Sequence, residues 1–375
     1  MRRQSSSLKH VGELSASLAD LGTFLPLVLG VLIVTQMDPV GVLFGFGIFA
    51  LVTGGLYRRP IPVQPMKAVA AMGIAGMLSA DAMVATTVVM GCVLLVLSLS
   101  DVITRIRRFI PNSIMHGLKL SLVVSLIVVT HSRLEWQWMD VGLLLIGLIA
   151  LQRTPLKSLS ALFMIVIGMW LWMPLERVSV GFDPSLPTLI WPSLESFLIA
   201  MRDATLPQLI LTITNALILT AVIAHAYYPE DHPRVTEQRL ARSSGWANLL
   251  LAPFGAMPMC HGAGGLVAHH AFGGRSGWTM ALFGLFCLIL GLGFGDGVLQ
   301  LLAAIPGSVM VMLVLYAAWQ IADPKTMMTL KLSCYLVIGC MVVVSVFWGL
   351  FPAIAAGWLA EVLRTGRWAP ANATN

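Results

Sequence analysis

The sequence predicts an all-α polytopic membrane protein of about 14 segments, built as 7+7 inverted repeats with two half-helices meeting near the midplane. Three observations predict it. The chain of 375 residues is 58% hydrophobic and only 11% charged, with a mean hydropathy of +0.87; a soluble domain carries about 25% charged residues. Landmarks recur along it at nearly one offset. Two polar stretches, Pro60-Ile61-Pro62-Val63-Gln64-Pro65-Met66-Lys67 and Pro258-Met259-Cys260-His261-Gly262-Ala263-Gly264-Gly265, break the apolar sequence, and each precedes a run long enough only for a half-length helix.

Helices rather than a barrel follow from the apolar runs, which are continuous over 88–99, 143–151 and 332–346 and do not alternate. Such runs predict membrane segments near 11–34, 38–56, 81–99, 112–130, 137–152, 157–174, 206–227, 239–255, 277–294, 306–321, 327–348 and 350–363. Half-helices near 66–79 and 262–272 complete the set. The basic N-terminus, Met1-Arg2-Arg3 through Lys9, is followed by no cleavable signal, since Glu13 and Asp20 interrupt the first apolar segment.

Placing that N-terminus in the cytoplasm collects the basic residues on one side. Arg58, Arg59, Arg105, Arg107, Arg108, Arg153, Lys157, Arg234, Arg239, Arg242, Arg275, Lys325, Lys331, Arg364 and Arg367 all fall in inside loops, against Arg133, Arg177 and Arg202 outside. This predicts a multi-pass protein of the cytoplasmic membrane with both termini inside. It also accounts for the net charge of +6 without nucleic acid.

The repeat is read from three landmarks. Ile110-Pro111-Asn112-Ser113-Ile114-Met115 recurs as Ile305-Pro306-Gly307-Ser308-Val309-Met310, an offset of 195. The same offset carries Asp20 to Asn215, in the polar patch Thr212-Ile213-Thr214-Asn215, while Pro62 and Pro258 stand 196 apart. The halves span 8–174 and 203–364. An external linker with a short surface helix occupies 175–202, and a short cytoplasmic tail 365–375. Seven segments in a half is an odd number, so the second half enters from the opposite side, an arrangement found in secondary transporters.

Chemistry concentrates at the two breaks. Proline suits a first helical turn because its missing N–H would be unpaired there, so a helix begins near Pro65 or Met66. The exposed N–H groups of that turn attract negative charge. Lys67 lies where the dipole disfavours a cation and where the membrane makes a lysine cost about 2.5–3.5 kcal/mol. A bound anion relieves both, with Gln64 as a neighbouring amide donor; alternatively Lys67 pairs with Asp20 or Glu13. In the second break Gly262, Ala263 and Gly264 let backbone N–H groups approach a ligand closely, with His261 as a donor at the rim beside Cys260. Two helix ends of about +0.5 each and one lysine balance a compact dianion.

In the first helix Gly22 and Pro26 predict a local unwinding that offers the Thr23 hydroxyl to the site. Importing a dianion against about 100 mV costs about 4.6 kcal/mol, which makes Glu13 and Asp20 candidate carriers of a coupled ion. Either could instead cap a helix or hold Lys67. Asn215 is equally consistent with ligand contact and with hydrogen bonding between helices. Cys92, Cys287, Cys334 and Cys340 read as small buried hydrophobes. No metal site is expected, because no carboxylate or second cysteine completes Cys260-His261 with His269-His270, and no cofactor motif is present. An intramembrane hydrolase on His261, Cys260 and Asp20 lacks any nucleophile–base spacing.

These motifs resemble one family. Glu13-Leu14-Ser15 with Asp20-Leu21-Gly22-Thr23-Phe24-Leu25-Pro26, then Pro62-Val63-Gln64-Pro65-Met66-Lys67, then Pro258-Met259-Cys260-His261-Gly262-Ala263-Gly264-Gly265 with Phe272-Gly273 are similar to the molybdate transporters related to sulfate permeases. The resemblance runs from about residue 11 to 358. It implies the inverted-repeat fold shared with sulfate and nucleobase permeases, a homodimer, and alternating access. The substrate implied is molybdate, with tungstate, sulfate or another oxyanion as alternatives, and a passive anion channel as a remoter one. The ligand is expected between the first, third, eighth and tenth segments, those holding Thr23, Gln64 to Lys67, Asn215 and His261 to Gly264. Two departures stand out: Ala19 replaces a usual glycine, and His269-His270-Ala271 replaces a polar-aromatic-basic triplet, a change expected to affect only the cytoplasmic rim.

Overall fold

The computed structural model describes residues 12–14, 16–99, 103, 111–133, 137–154, 160–172, 181–231, 233–303, 306–322, 327–328 and 330–366. The basic N-terminal run, residues 175–180 of the linker, most of the tail, Ile110 and Ile305 lie outside them. So do Arg105, Arg107, Arg108, Lys157, Arg177, Lys325 and Arg367.

In chain order the helices are α1 (Leu21–Thr35), α2 (Pro39–Tyr57), α3 (Lys67–Ile74), α4 (Ala80–Leu97), α5 (Asn112–Arg133), α6 (Trp138–Gln152) and α7 (Ser160–Trp172). There follow α8 (Leu194–Tyr227), α9 (Glu237–Leu251), α10 (Ala263–Ala271), α11 (Trp278–Ala303), α12 (Gly307–Ala322), α13 (Leu332–Trp348) and α14 (Leu350–Thr365). The short elements α3 and α10 are each preceded by a two-residue strand, β1 (Gln64–Pro65) and β2 (Met259–Cys260). By length and composition α2, α4, α8 and the Trp278–Gly295 part of α11 can cross a membrane.

Local chemistry sets several boundaries. Asp38 accepts from the Val40 N–H ahead of Pro39, and Ser79 and Thr236 cap α4 and α9 in the same way. The helices sort into two packing groups. In one, α2 lies along α11 and α4 along α9; in the other, α5 packs on α12, α13 and α14. Small residues allow the first contact to be close. A Cβ on Gly277 would stand 2.0 Å from the Gly54 carbonyl oxygen, so α2 and α11 meet backbone to backbone.

Three features differ from expectation. The first segment unwinds at residues 18–20, ahead of Gly22, and Pro26 lies inside the continuous helix α1. Lying in the second turn, Pro26 removes the one amide that would have reached the Gly22 carbonyl four residues back. The short surface helix assigned to the linker is no separate element: it runs without a break into the next segment as α8. Within α8 two stretches, Ala200–Ala204 and Thr212–Leu219, adopt π-helical geometry. The Thr205 and Thr220 hydroxyls donate to the Ala200 and Asn215 carbonyl oxygens at 2.8 and 3.1 Å, five residues back, the spacing of the wider turn. Finally, α11 is interrupted at Gly295 (φ 40°). There the linker takes up freed carbonyls, Asp183 N–H donating to Gly293 at 2.9 Å and Ser185 N–H to Leu292 at 3.0 Å.

Candidate functional site

The two breaks meet. Strands β1 and β2 pair antiparallel, with Gln64 opposite Cys260 and Pro65 opposite Met259, and the Met66 N–H donates to the Pro258 carbonyl at 2.9 Å. Because the strands run antiparallel, the chain leaves them in opposite directions. Helices α3 and α10 therefore direct their N-termini at one crossing. Pro65 cannot donate to its neighbour, and Asn248 of α9 supplies what the ladder lacks. Its Oδ1 accepts from the Met259 N–H at 2.8 Å and its Nδ2 donates to the Met259 carbonyl at 2.6 Å. The Thr87 hydroxyl donates to the Ala256 carbonyl at 3.0 Å on the approach to β2.

The unwound part of the first segment reaches the same crossing. Gln64 Nε2 donates to Asp20 Oδ2 at 2.5 Å, and Thr23 bonds to the same carboxylate. Lys67 and His269 are the positive or ionisable groups that act on Asp20, and Lys67 also acts on Cys260. Gly262 has to be glycine here, since a Cβ would stand 1.8 Å from Gln64 Oε1. His269 is buried, and its Nδ1–H donates to the Ala16 carbonyl at 2.6 Å. Its effect therefore reaches the helix break beside Asp20 and is not confined to the rim. Glu13 sits further out, accepting from the Thr279 hydroxyl and from the Arg275 N–H.

The two half-helix tips are not equivalent. On α3, Gln208 of α8 places Oε1 2.9 Å from the Ala68 N–H and 3.3 Å from the Val69 N–H. The expectation of an open first turn thus fails for α3, because a side-chain amide takes up the donors that a helix start leaves over. On α10 the N-cap is Gly262, which brings no side chain, and Gly264 faces open space.

Exposure divides the predicted residues. Thr23, Lys67 and Asn215 are half-buried and Gly264 is exposed, whereas Gln64, Pro65, Met66, Cys260, His261, Gly262 and Ala263 are buried. His261 is not placed at the rim. Its Nδ1 donates to the Pro62 carbonyl at 2.9 Å, and its Nε2 lies 2.8 Å from Ser243 Oγ, which in turn meets the Tyr57 hydroxyl at 2.7 Å. The ring packs between Phe49 and Tyr57. It fixes β2 to α2 and α9 with both nitrogens engaged. Sequence reasoning missed Gln208, Asn248 and Ser243. Gln208 and Asn248 are single polar residues among apolar neighbours, and Ser243 sits in the polar run Arg242-Ser243-Ser244, with no local motif to single any of them out.

Comparison with known proteins identifies the family and the fold. The family model described as "Molybdate transporter of MFS superfamily" matches residues 12–126 and 200–321. Molybdate transporter 1 of Arabidopsis thaliana is 26% identical over 380 residues, covering 88% of this chain and 83% of its own length. Molybdate transporter 2 of the same plant is 27% identical over 384 residues, covering 88% and 82%. Among solved structures, the transmembrane domain of the cyanobacterial bicarbonate transporter BicA superposes with a TM-score of 0.67 at 15% identity, over 95% of this chain and 98% of that one. SLC26A9 gives a TM-score of 0.65 at 13% identity, over 95% and 65%. These last two share the fold. The chain belongs to the molybdate transporter family.

Proposed function

We propose that the protein is a secondary transporter that imports molybdate, a tetrahedral dianion, across the cytoplasmic membrane by alternating access. The observation that carries this reading is the antiparallel crossing of β1 and β2, which brings two half-helix N-termini and Lys67 to one place. The uncapped first turn of α10 and the Lys67 ammonium bind the anion, with Thr23 and Asn215 as neutral donors at the opening. Gln64 holds the first segment in position, and His261 fixes the second strand from behind. The two repeats, related by a pseudo-dyad through the ladder, provide the helix groups that move against each other, and the unit is a homodimer.

Charge bookkeeping favours a coupled proton. The α10 tip contributes about +0.5 and Lys67 adds one charge, so with Asp20 ionised the site holds only about +0.5. A proton on Asp20 raises this to about +1.5, much nearer to what a dianion needs. Protonation of Asp20 and anion binding then favour each other, which is the linkage symport requires.

The test is uptake of radiolabelled molybdate into vesicles, competed by tungstate, sulfate and uracil, with Lys67→Ala as the control. Competition by tungstate and little by sulfate is the expected result. Stronger competition by sulfate would make the protein a sulfate permease of the same fold. Uptake that only equilibrates the anion would make it a passive channel, and unchanged uptake by Lys67→Ala would remove that residue from the site.

A further inference from the structure

Helix α8 runs past both half-helices and treats them differently. Its Thr205–Leu211 segment packs on α3, and the π-helical Thr212–Leu219 stretch packs on α10. Gln208 lies in the first of these and is 1% exposed. Its Oε1 accepts from the Ala68 and Val69 N–H groups, and its Nε2 donates to Thr212 Oγ1 at 2.8 Å. The two backbone N–H donors fix which end of the amide faces α3, since only Oε1 can accept from them. The acceptor therefore sits where an oxyanion oxygen would bind the first turn of a helix.

The corresponding position on the other side is vacated. The repeat offset of 195 pairs Gln208 with Glu13. Glu13 is engaged by the Thr279 hydroxyl and the Arg275 N–H, beyond the unwound residues 18–20, and does not cap α10. One tip is capped by a side-chain acceptor; the other has no side-chain cap, with Gln64 and Asp20 lying against Gly262 and Gly265 and only Gly264 facing open space.

We propose that Gln208 is a specificity-determining residue, a resident neutral acceptor that closes α3 to oxyanions and leaves the substrate a one-ended helix site at α10. This rests on the oxyanion-transport reading above. With α3 closed, the anion meets backbone amides on one side and the single Lys67 ammonium on the other. An anion able to span two open helix tips gains no advantage over one that fits a single tip. Selectivity then depends on how each anion's oxygens divide between amides and ammonium.

The experiment uses the purified full-length protein in detergent, titrated with molybdate and with sulfate and followed by calorimetry and thermal unfolding. Gln208→Ala unpairs two amides, so its Tm is expected to fall without anion and to recover with saturating molybdate, as an oxyanion oxygen replaces Oε1. Its molybdate-to-sulfate affinity ratio is expected to move by about fivefold or more, on the scale of one hydrogen bond. Gln208→Glu keeps an acceptor in place but adds negative charge, and should weaken both anions by about tenfold or more. Gln208→Asn, one methylene shorter, gives the same readings as the alanine variant if that one fails to fold. A Tm deficit that anion does not relieve, with both affinities and their ratio unchanged, would make Gln208 a structural cap and overturn the proposal. Wild-type protein that binds neither oxyanion would instead overturn the transport reading itself, and the proposal with it.

Discussion

Gln64 and Asp20 are joined by a 2.5 Å hydrogen bond that links the strand crossing to the unwound end of the first segment. The strand crossing proposed to bind the anion and the candidate proton carrier are thus one bonded unit, and Asp20→Asn separates the roles proposed for them. The amide can still face Gln64 but carries no exchangeable charge. Proton-gradient-driven accumulation of molybdate should fall by about tenfold or more, while exchange of labelled for unlabelled molybdate continues at a rate within about threefold of wild type. Vesicle uptake with and without an imposed pH gradient measures both. Equal losses in the two assays would mean that Asp20 is needed for binding and not for coupling.

Gly262→Ala drives a methyl group into Gln64 Oε1. The strand pair must shift, because the contact is with a side chain held on its other side by Asp20. Transport should drop by about 100-fold or more, a loss of about 2.7 kcal/mol or greater, with the protein still present in the membrane. Adding Gln64→Ala relieves the clash. The double variant is expected to regain thermal stability without regaining uptake.

Asn248→Leu keeps bulk but removes both hydrogen bonds to Met259. Two backbone groups of a buried strand lose their partners, at about 1–3 kcal/mol each. A lower Tm is expected, along with a loss of the anion-dependent stabilisation that an ordered crossing permits. Thermal unfolding with and without molybdate reads both.

A fourth prediction concerns the second packing group. Arg364 donates to both oxygens of Glu361 at 2.6 and 2.9 Å and to Ser333 at 2.9 Å, while the Ser113 hydroxyl donates to Glu361 at 2.8 Å. The cluster ties α14 to α5 and α13. Arg364→Met leaves a largely buried carboxylate without its cation and should destabilise by on the order of 1–3 kcal/mol, after allowance for the partial exposure of the arginine. Adding Glu361→Gln should recover most of that loss in thermal unfolding.

Much of this was legible in the sequence for a physical reason. A membrane segment is recorded in a continuous apolar run, and a half-helix in a run cut short by proline or glycine, so α2, α4, α6 and both half-helices begin within one or two residues of where the sequence places them. The crossing of Gln64 with Cys260 was legible from two breaks at matching positions. Gln208 was not, because a glutamine in an apolar helix is equally consistent with many partners, and only the register set by the π-helical turns of α8 aims it at α3. The bonds of His261 to Pro62 and Ser243 depend on residues from three elements, which no local pattern records. The break at residues 18–20 was displaced from Gly22 and Pro26 because Asp20 is drawn to Gln64, a contact made across 44 positions of chain.

The length of α8 has a mechanical consequence. Its 34 residues measure about 50 Å at 1.5 Å per residue, whereas the hydrocarbon layer is roughly 30 Å thick. The helix must lean or overhang, and its Leu194 end is moored to α4, where Asp81 Oδ2 accepts from the Ser193 N–H at 2.9 Å and the Ser196 hydroxyl at 2.6 Å. A rod held at one end and wound more widely over Thr212–Leu219 carries that π-helical stretch against α10. Any tilt of α8 is therefore passed through Thr212–Leu219 to α10, so the longest helix is coupled to a half-helix it packs against.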